Sequence, residues 1–403
     1  MQAIMIVQRY LKTACASMHA TRQTVLFAAV DARIHGGRLT VTGLGWALRS
    51  RTTVKHAIKR MDRLLSNGQL YAERVPIQTA LIRWILGAQV QPIILVDWSD
   101  LTADRRWQLI RASLPVGGRA LTLYEEVHPL QRLTNPHVHR AFLRTLHRLV
   151  PAGAIPIVVT DAGFRAPWLR AVERLGWAFV GRVRNRDHVG SPRPQAGCAA
   201  NRSTPTPPRR RRTWGGCEVV ESHPLRCQLV LVKEPRKHRI HRSRLGQPVR
   251  SSASRKQAMG HRDPWLLAVS ACLAGYRADQ LVACYRKRMQ IEEAFRDLKD
   301  DRFGVGLCLS QTTQADRFAI LRLIAALAQL AVWFVGHAAM TAGYHTQYQA
   351  NTARERLSLS VITVGMQVVR RAREHFTRCD LLAPLLQLQR NVDALSSWNC
   401  FLS

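Results

Sequence analysis

Apolar positions along the chain follow two distinct periods. Val54, Ile58, Met61, Leu64 and Leu65 recur at helical spacing, with Lys55, His56, Lys59, Arg60 and Arg63 on the remaining faces. That pattern predicts an amphipathic, basic helix. Just before it, Thr40, Thr42, Gly43 and Gly45 read as a turn. The first 88 residues therefore predict a small helical domain, suited to DNA; a solvated basic helix lying on a core has the same pattern.

Beyond residue 88 the period changes. The continuous apolar run 92–96 ends in Asp97, residues 119–125 (RALTLYE) read as a strand, and the run 155–160 ends in Asp161. A helix is expected around 139–149. Another opens at Pro167 and is stopped by Gly176, and 177–183 (WAFVGRV) returns as a strand. Such alternation predicts an α/β core.

Residues 184–262 break that order. They are rich in Arg, Pro, Ser and Gly, include TPTPPRRRR, and hold strand-like pieces at 217–220 and 228–233. A β-rich insertion and a flexible basic loop both fit. An apolar strand resumes at 265–270, and one long helix is expected over 279–299. The stretch 323–340 is nearly apolar and long enough to span a membrane. Gln329 and His337 interrupt it and Arg317 and Arg322 stand on its approach, so it reads as a buried core helix. Residues 357–376 are helix-like and suit either a core or a dimer face.

Charge narrows the function. The 403 residues carry 60 Lys and Arg against 26 Asp and Glu, a formal +34. A field of that size calls for a polyanionic partner, whose released counterions supply the affinity. The basic residues are spread along the chain and not gathered beside a span, which points to nucleic acid over an anionic membrane. With 47% hydrophobic residues the chain has material for sizeable cores. Nine scattered cysteines with no CxxC pair read as reduced thiols of a cytoplasmic protein, and the first residues lack the basic region of a signal peptide. His223 with Cys227 and His238 with His241 have ligand-like spacing but no matched second pair for zinc.

The chemistry concentrates in three carboxylates. Asp97 and Asp161 each close an apolar run that reads as a buried strand, where α/β sheets place their sites. Together they suit hard cations such as Mg²⁺ or Mn²⁺; singly, each is equally a turn former or helix cap. In YRKRMQIEEAFRDLK, Tyr285, Arg288, Glu292 and Lys299 fall on one stripe about 60° wide if the segment is a single helix. Glu293 and Asp297 fall about 80° and 120° off that stripe. The plainer alternative is a surface helix carrying an Arg288–Glu292 pair.

At these residues the chain resembles the transposase family of insertion sequence four, within the DDE superfamily. The family signature of Tyr, two residues, Arg, three residues, Glu, six residues and Lys is met by Tyr285, Arg288, Glu292 and Lys299. Its aspartates match Asp97 in ILVDWSD and Asp161 in VVTDAGF, and KHAIKRMDRLLSN, LTLYEEVHP and RMQIEEAFRDLK extend the likeness over most of the chain.

The resemblance implies an α/β fold with a ribonuclease-H-like mixed sheet flanked by helices. The expected domains are an N-terminal helical DNA-binding domain (1–88), a catalytic domain (89–183 and 264–345), a β-rich basic insertion (184–263) and a C-terminal helical region for dimerisation (346–403). It also implies a triad of Asp97, Asp161 and Glu292 holding two divalent ions, with Tyr285, Arg288 and Lys299 on a DNA phosphate. Trp265 would stack on a flipped base and Arg182 would contact a phosphate near it; Trp265 has a plain core reading as well. The implied partners are double-stranded DNA, as terminal inverted repeats and target, and a second copy of the chain. An inactive DNA-binding regulator and a metal-dependent nuclease are the competing readings.

Overall fold

The computed structural model describes residues 2–184, 189–190, 212–219, 224–233, 264–300, 304–349, 359–371 and 375–390. Two compact units divide the chain, one formed by Met1–Pro156 with Lys287–Ser403 and the other by Ile157–Arg286.

The first unit begins with five helices, α1 (Gln2–Leu11), α2 (Ala20–Ile34), α3 (Val41–Ala47), α4 (Val54–Leu65) and α5 (Gly68–Leu86). The turn expected at 40–45 is instead the start of α3, because the Thr40 hydroxyl accepts the Gly43 N–H at 2.9 Å and caps a helix. α3 meets α4 at Gly45, where a Cβ would lie 2.6 Å from Ile58 Cγ1 and 2.8 Å from Ile58 Cα. α4 buries Ala57, Met61, Leu64 and Leu65, while Lys55, His56, Lys59, Arg60 and Arg63 are exposed or half-buried at most.

Three antiparallel strands follow, β1 (Ile93–Asp100), β2 (Trp107–Pro115) and β3 (Ala120–Pro129), with β2 in the middle. The sequence pattern does not predict β2, since buried Gln108, Arg111 and Ser113 interrupt its apolar run. Asp97 stands opposite Arg111, and Arg111 opposite Glu125. Side chains directly opposite one another share a sheet face, so the three form one row. The connection continues into α6 (Pro136–Leu149).

The same unit holds α9 (Met289–Lys299), α10 (Ala315–Thr341), α11 (Val361–Arg371) and α12 (Arg378–Arg390). Among the described helices α10 is long and apolar enough to cross a membrane, but α1, α2, α5, α11, α12 and β3 pack around it and most of it is buried. An all-round apolar surface is what a core helix presents. α11 crosses it backbone against backbone. A Cβ at Gly336 would run into the Val361 carbonyl oxygen, and one at Gly365 into that of Val332.

In the second unit β4 (Ile157–Thr160), α7 (Ala166–Arg174) and β5 (Ala178–Val183) form a crossover with β4 and β5 parallel. Gly176, at φ +74°, supplies the left-handed residue that ends the helical turn. Antiparallel pairings then run from β5 to β9 (Trp265–Val269), β8 (Leu225–Val232), β7 (Arg212–Val219) and β6 (Val189–Gly190). α8 (Ala278–Arg286) closes the unit. Of the strand-like pieces, 217–219 fall on β7 and 228–232 on β8, whereas Val220 and most of TPTPPRRRR, with His223, His238 and His241, lie outside the described residues. The fold is α/β with a mixed sheet and flanking helices. Three consecutive strands, β1 to β3, stand before α6, where the sequence pattern predicts two.

Candidate active site

Asp97 lies within β1 and not at its end. The apolar run stops at Val96, but the ladder continues through Asp100 paired with Gln108, since backbone pairing does not require apolar side chains. Asp97 Oδ1 accepts the Trp98 N–H at 2.8 Å. Its Oδ2 lies 3.4 Å from Arg288 Nη1, and the same nitrogen lies 2.5 Å from Glu292 Oε1. Two carboxylates, one from a strand and one from a helix, therefore converge on a single cation. The Asp97 and Arg288 side chains are largely covered, at 14% and 15% exposure, while Glu292 at 39% faces outward.

The single helix expected over 279–299 is two. α8 ends at Arg286, α9 begins at Met289, and Lys287 and Arg288 form a turn between them. Here the Gln290 N–H reaches Lys287 O at 2.9 Å and the Ile291 N–H reaches Arg288 O at 3.2 Å, three-residue spans replacing the helical four. The four-residue stripe is corrected accordingly: Tyr285 belongs to α8. Arg288, Glu292 and Lys299 remain at about 0°, 40° and 20° around α9.

Neighbouring acids on α9 are engaged elsewhere. Glu293 pairs with Arg296 at 2.8 Å and Asp297 with Arg119 at 2.5 Å. Burial pushes the Lys299 ammonium below the usual lysine range, against the upward pull of Asp100 and Asp97. An ammonium so placed is less hydrated than one at the surface, and better suited to giving hydrogen bonds to a phosphate.

The second unit carries the other candidates. Asp161 follows β4 directly, as expected, and its Oδ1 accepts the Gly163 N–H at 2.8 Å, so it also closes a turn. Arg182 stands in β5 opposite Leu267; Thr160 pairs with Gly181, which puts Asp161 and Arg182 one step beyond a matched pair. Trp265 opens β9 and meets the Tyr285 ring edge-on, with centroids 5.1 Å apart at 68°. Tyr285 is buried and Trp265 partly exposed.

Two polar clusters in the first unit are not legible in the sequence. Arg111 Nε donates to Glu125 at 2.8 Å, and Arg322 holds the same carboxylate at 3.1 and 3.2 Å, all three buried. The available signal is Arg322, a charge with apolar residues on both sides of it in α10, which the sequence pattern assigns to a flank. On alternating positions of β3, Glu126 accepts from Tyr124 at 2.6 Å and meets His128 at 2.8 Å. Beside them the Trp98 indole donates to His139 Nε2 at 3.0 Å, and burial, with His128 adding to it, pushes His139 down to about 4.

Among the described residues no three His, Cys, Asp or Glu side chains gather as a ready metal cluster. The donor chemistry of Asp97 and Glu292 nevertheless fits a hard divalent cation, because both are carboxylates already sharing one positive charge.

Residues 88–328 match the family model described as Transposase DDE domain. No curated protein matches the sequence. Among solved structures, the cryo-EM structure of the piggyBac transposase synaptic complex with hairpin DNA is similar at a TM-score of 0.40 and 10% identity, covering 96% of this chain and 81% of that one.

Proposed function

The chain belongs to the transposase DDE domain family, and on that premise we propose that it is a cut-and-paste transposase of the insertion-sequence-four kind. Its substrate is double-stranded DNA, as terminal inverted repeats and then target. Asp97, Asp161 and Glu292 are the proposed holders of two Mg²⁺ ions, with Mn²⁺ an alternative. When bound, the ions would activate the attacking oxygen and neutralise charge on the transferring phosphate.

The chain's own residues do the positioning. Arg288 spans Asp97 and Glu292, and a guanidinium in that position can turn its fork onto a phosphate when the carboxylates take another cation. Lys299 and the Tyr285 hydroxyl would hold the same phosphate. Trp265 offers a flat ring to an extruded base, and Arg182 a charge to the backbone beside it. The N-terminal helices would bind the element ends, 184–263 would serve as the insertion, and 346–403 would join two copies. Such a protein works in the cytoplasm on DNA.

The observation that carries the proposal is the convergence of Asp97 and Glu292 on one cation inside the matched region. Incubation with Mg²⁺ and linear DNA bearing the terminal repeats tests it. Joined products are expected. Cutting without joining would make the protein a nuclease, and retention without cutting a regulator.

A further inference from the structure

The buried cluster of Arg111, Glu125 and Arg322 is short of negative charge. Two guanidiniums share one carboxylate, and each is left with a buried nitrogen, Arg111 Nη2 and Arg322 Nη1, that has no hydrogen-bond partner among the described residues. Both arginines line a cavity of about 60 Å³ inside the first unit, together with Arg33, Asp297, Gln329 and the apolar side chains of α9, α10 and α11. Arg33 is itself 5% exposed and gives Nη1 to the Gly37 carbonyl at 3.2 Å.

The charges around this space do not balance. Arg33, Arg111 and Arg322 face it, Arg370 acts on Arg33, and Arg119 is bound to Asp297, whereas the acids beside these groups among the described residues are Asp297 in the lining, Glu125 held by Arg111 and Arg322, and Asp97, which stands opposite Arg111 and is itself held by Arg288. Burial pushes Arg33 and Arg111 down to about 10, so both stay charged near neutral pH. An uncompensated buried charge is strongly unfavourable. Water can satisfy the orphaned N–H groups but cannot neutralise the excess. A cavity needs about 10–15 Å³ to hold one water, so this one has room for something larger.

We propose that this cavity binds a small inorganic anion, a halide or tetrahedral oxyanion, held between Arg111 Nη2 and Arg322 Nη1. The anion would complete the ion cluster behind the Asp97 row of the sheet, because Asp97, Arg111 and Glu125 stand side by side in register. Its role is to fix α10 and α9 against β2, and it is separate from any DNA phosphate.

The test uses the full chain. Crystals soaked in sodium bromide should give an anomalous peak within hydrogen-bond distance of both nitrogens. In solution, inorganic phosphate replacing gluconate at constant ionic strength should raise the melting midpoint saturably. Arg322→Met should abolish that rise and melt no lower than the parent in gluconate alone, since it leaves the neutral Arg111–Glu125 pair. Arg33→Gln, at the cavity's edge, should weaken the rise without removing it. Absence of bromide at the two nitrogens, or an unchanged phosphate response in Arg322→Met, overturns the proposal.

Discussion

Arg288 is the residue on which the candidate site turns. With one nitrogen on Asp97 and Glu292, it screens two acids that would otherwise repel each other. Arg288→Gln should therefore lower the melting temperature without metal, and Mn²⁺ should restore more of the loss than it adds to the parent. Equal Mn²⁺ shifts in both proteins would show that the carboxylates do not share a cation. His139 makes a second prediction. Its Nε2 accepts the Trp98 indole N–H and must be unprotonated to do so. Burial holds His139, like His337 in α10, at about 4, below the unfolded value. The unfolded chain thus binds more protons between about 4 and 6.5, and stability present above that window is lost as pH falls through it. Denaturant midpoints measured from about pH 7 down to about pH 4 should fall, and less so in His139→Gln. A flat profile would contradict this.

At the level of elements, the crossing of α10 and α11 depends on absent side chains. A methyl at Gly336 or Gly365 meets a carbonyl oxygen of the facing helix. Gly336→Ala should separate the helices and cost about 1–3 kcal/mol, the usual penalty of overpacking, by urea denaturation. An unchanged midpoint would mean the crossing is loose. Elements with uniform patterns are legible in the sequence, such as β4 ahead of Asp161 and the apolar α10. β2 is not, because Arg111 sits in its centre and only Glu125 and Arg322, distant in sequence, make that arginine a core residue. The turn at Lys287 and Arg288 is equally hidden, for neither residue breaks helices. The choice of Glu292 rests on helical angle in the sequence; in the structure Glu293 pairs with Arg296 and Asp297 with Arg119. The anchor of Asp97 to Arg288 arises from tertiary packing alone.

For the molecule as a whole, a net charge of +34 makes salt the controlling variable for DNA affinity. The logarithm of affinity should fall linearly with that of salt concentration. Alanines at the exposed Lys59, Arg60 and Arg63 should flatten the slope by about 0.9 for each phosphate no longer neutralised. An unaltered slope would move the DNA surface away from α4. Family membership puts the chain among DDE transposases, and the three carboxylates name the side chains proposed to carry out the transfer. The direct measurement is strand joining of pre-cut terminal-repeat DNA in Mg²⁺ by the parent and by Asp97→Asn, Asp161→Asn and Glu292→Gln, with end binding followed in parallel. All four proteins should bind the ends, and each variant should join them more than roughly 100-fold more slowly, beyond the loss from a merely supporting group. Joining near the parental rate by any one variant would contradict the three-carboxylate site.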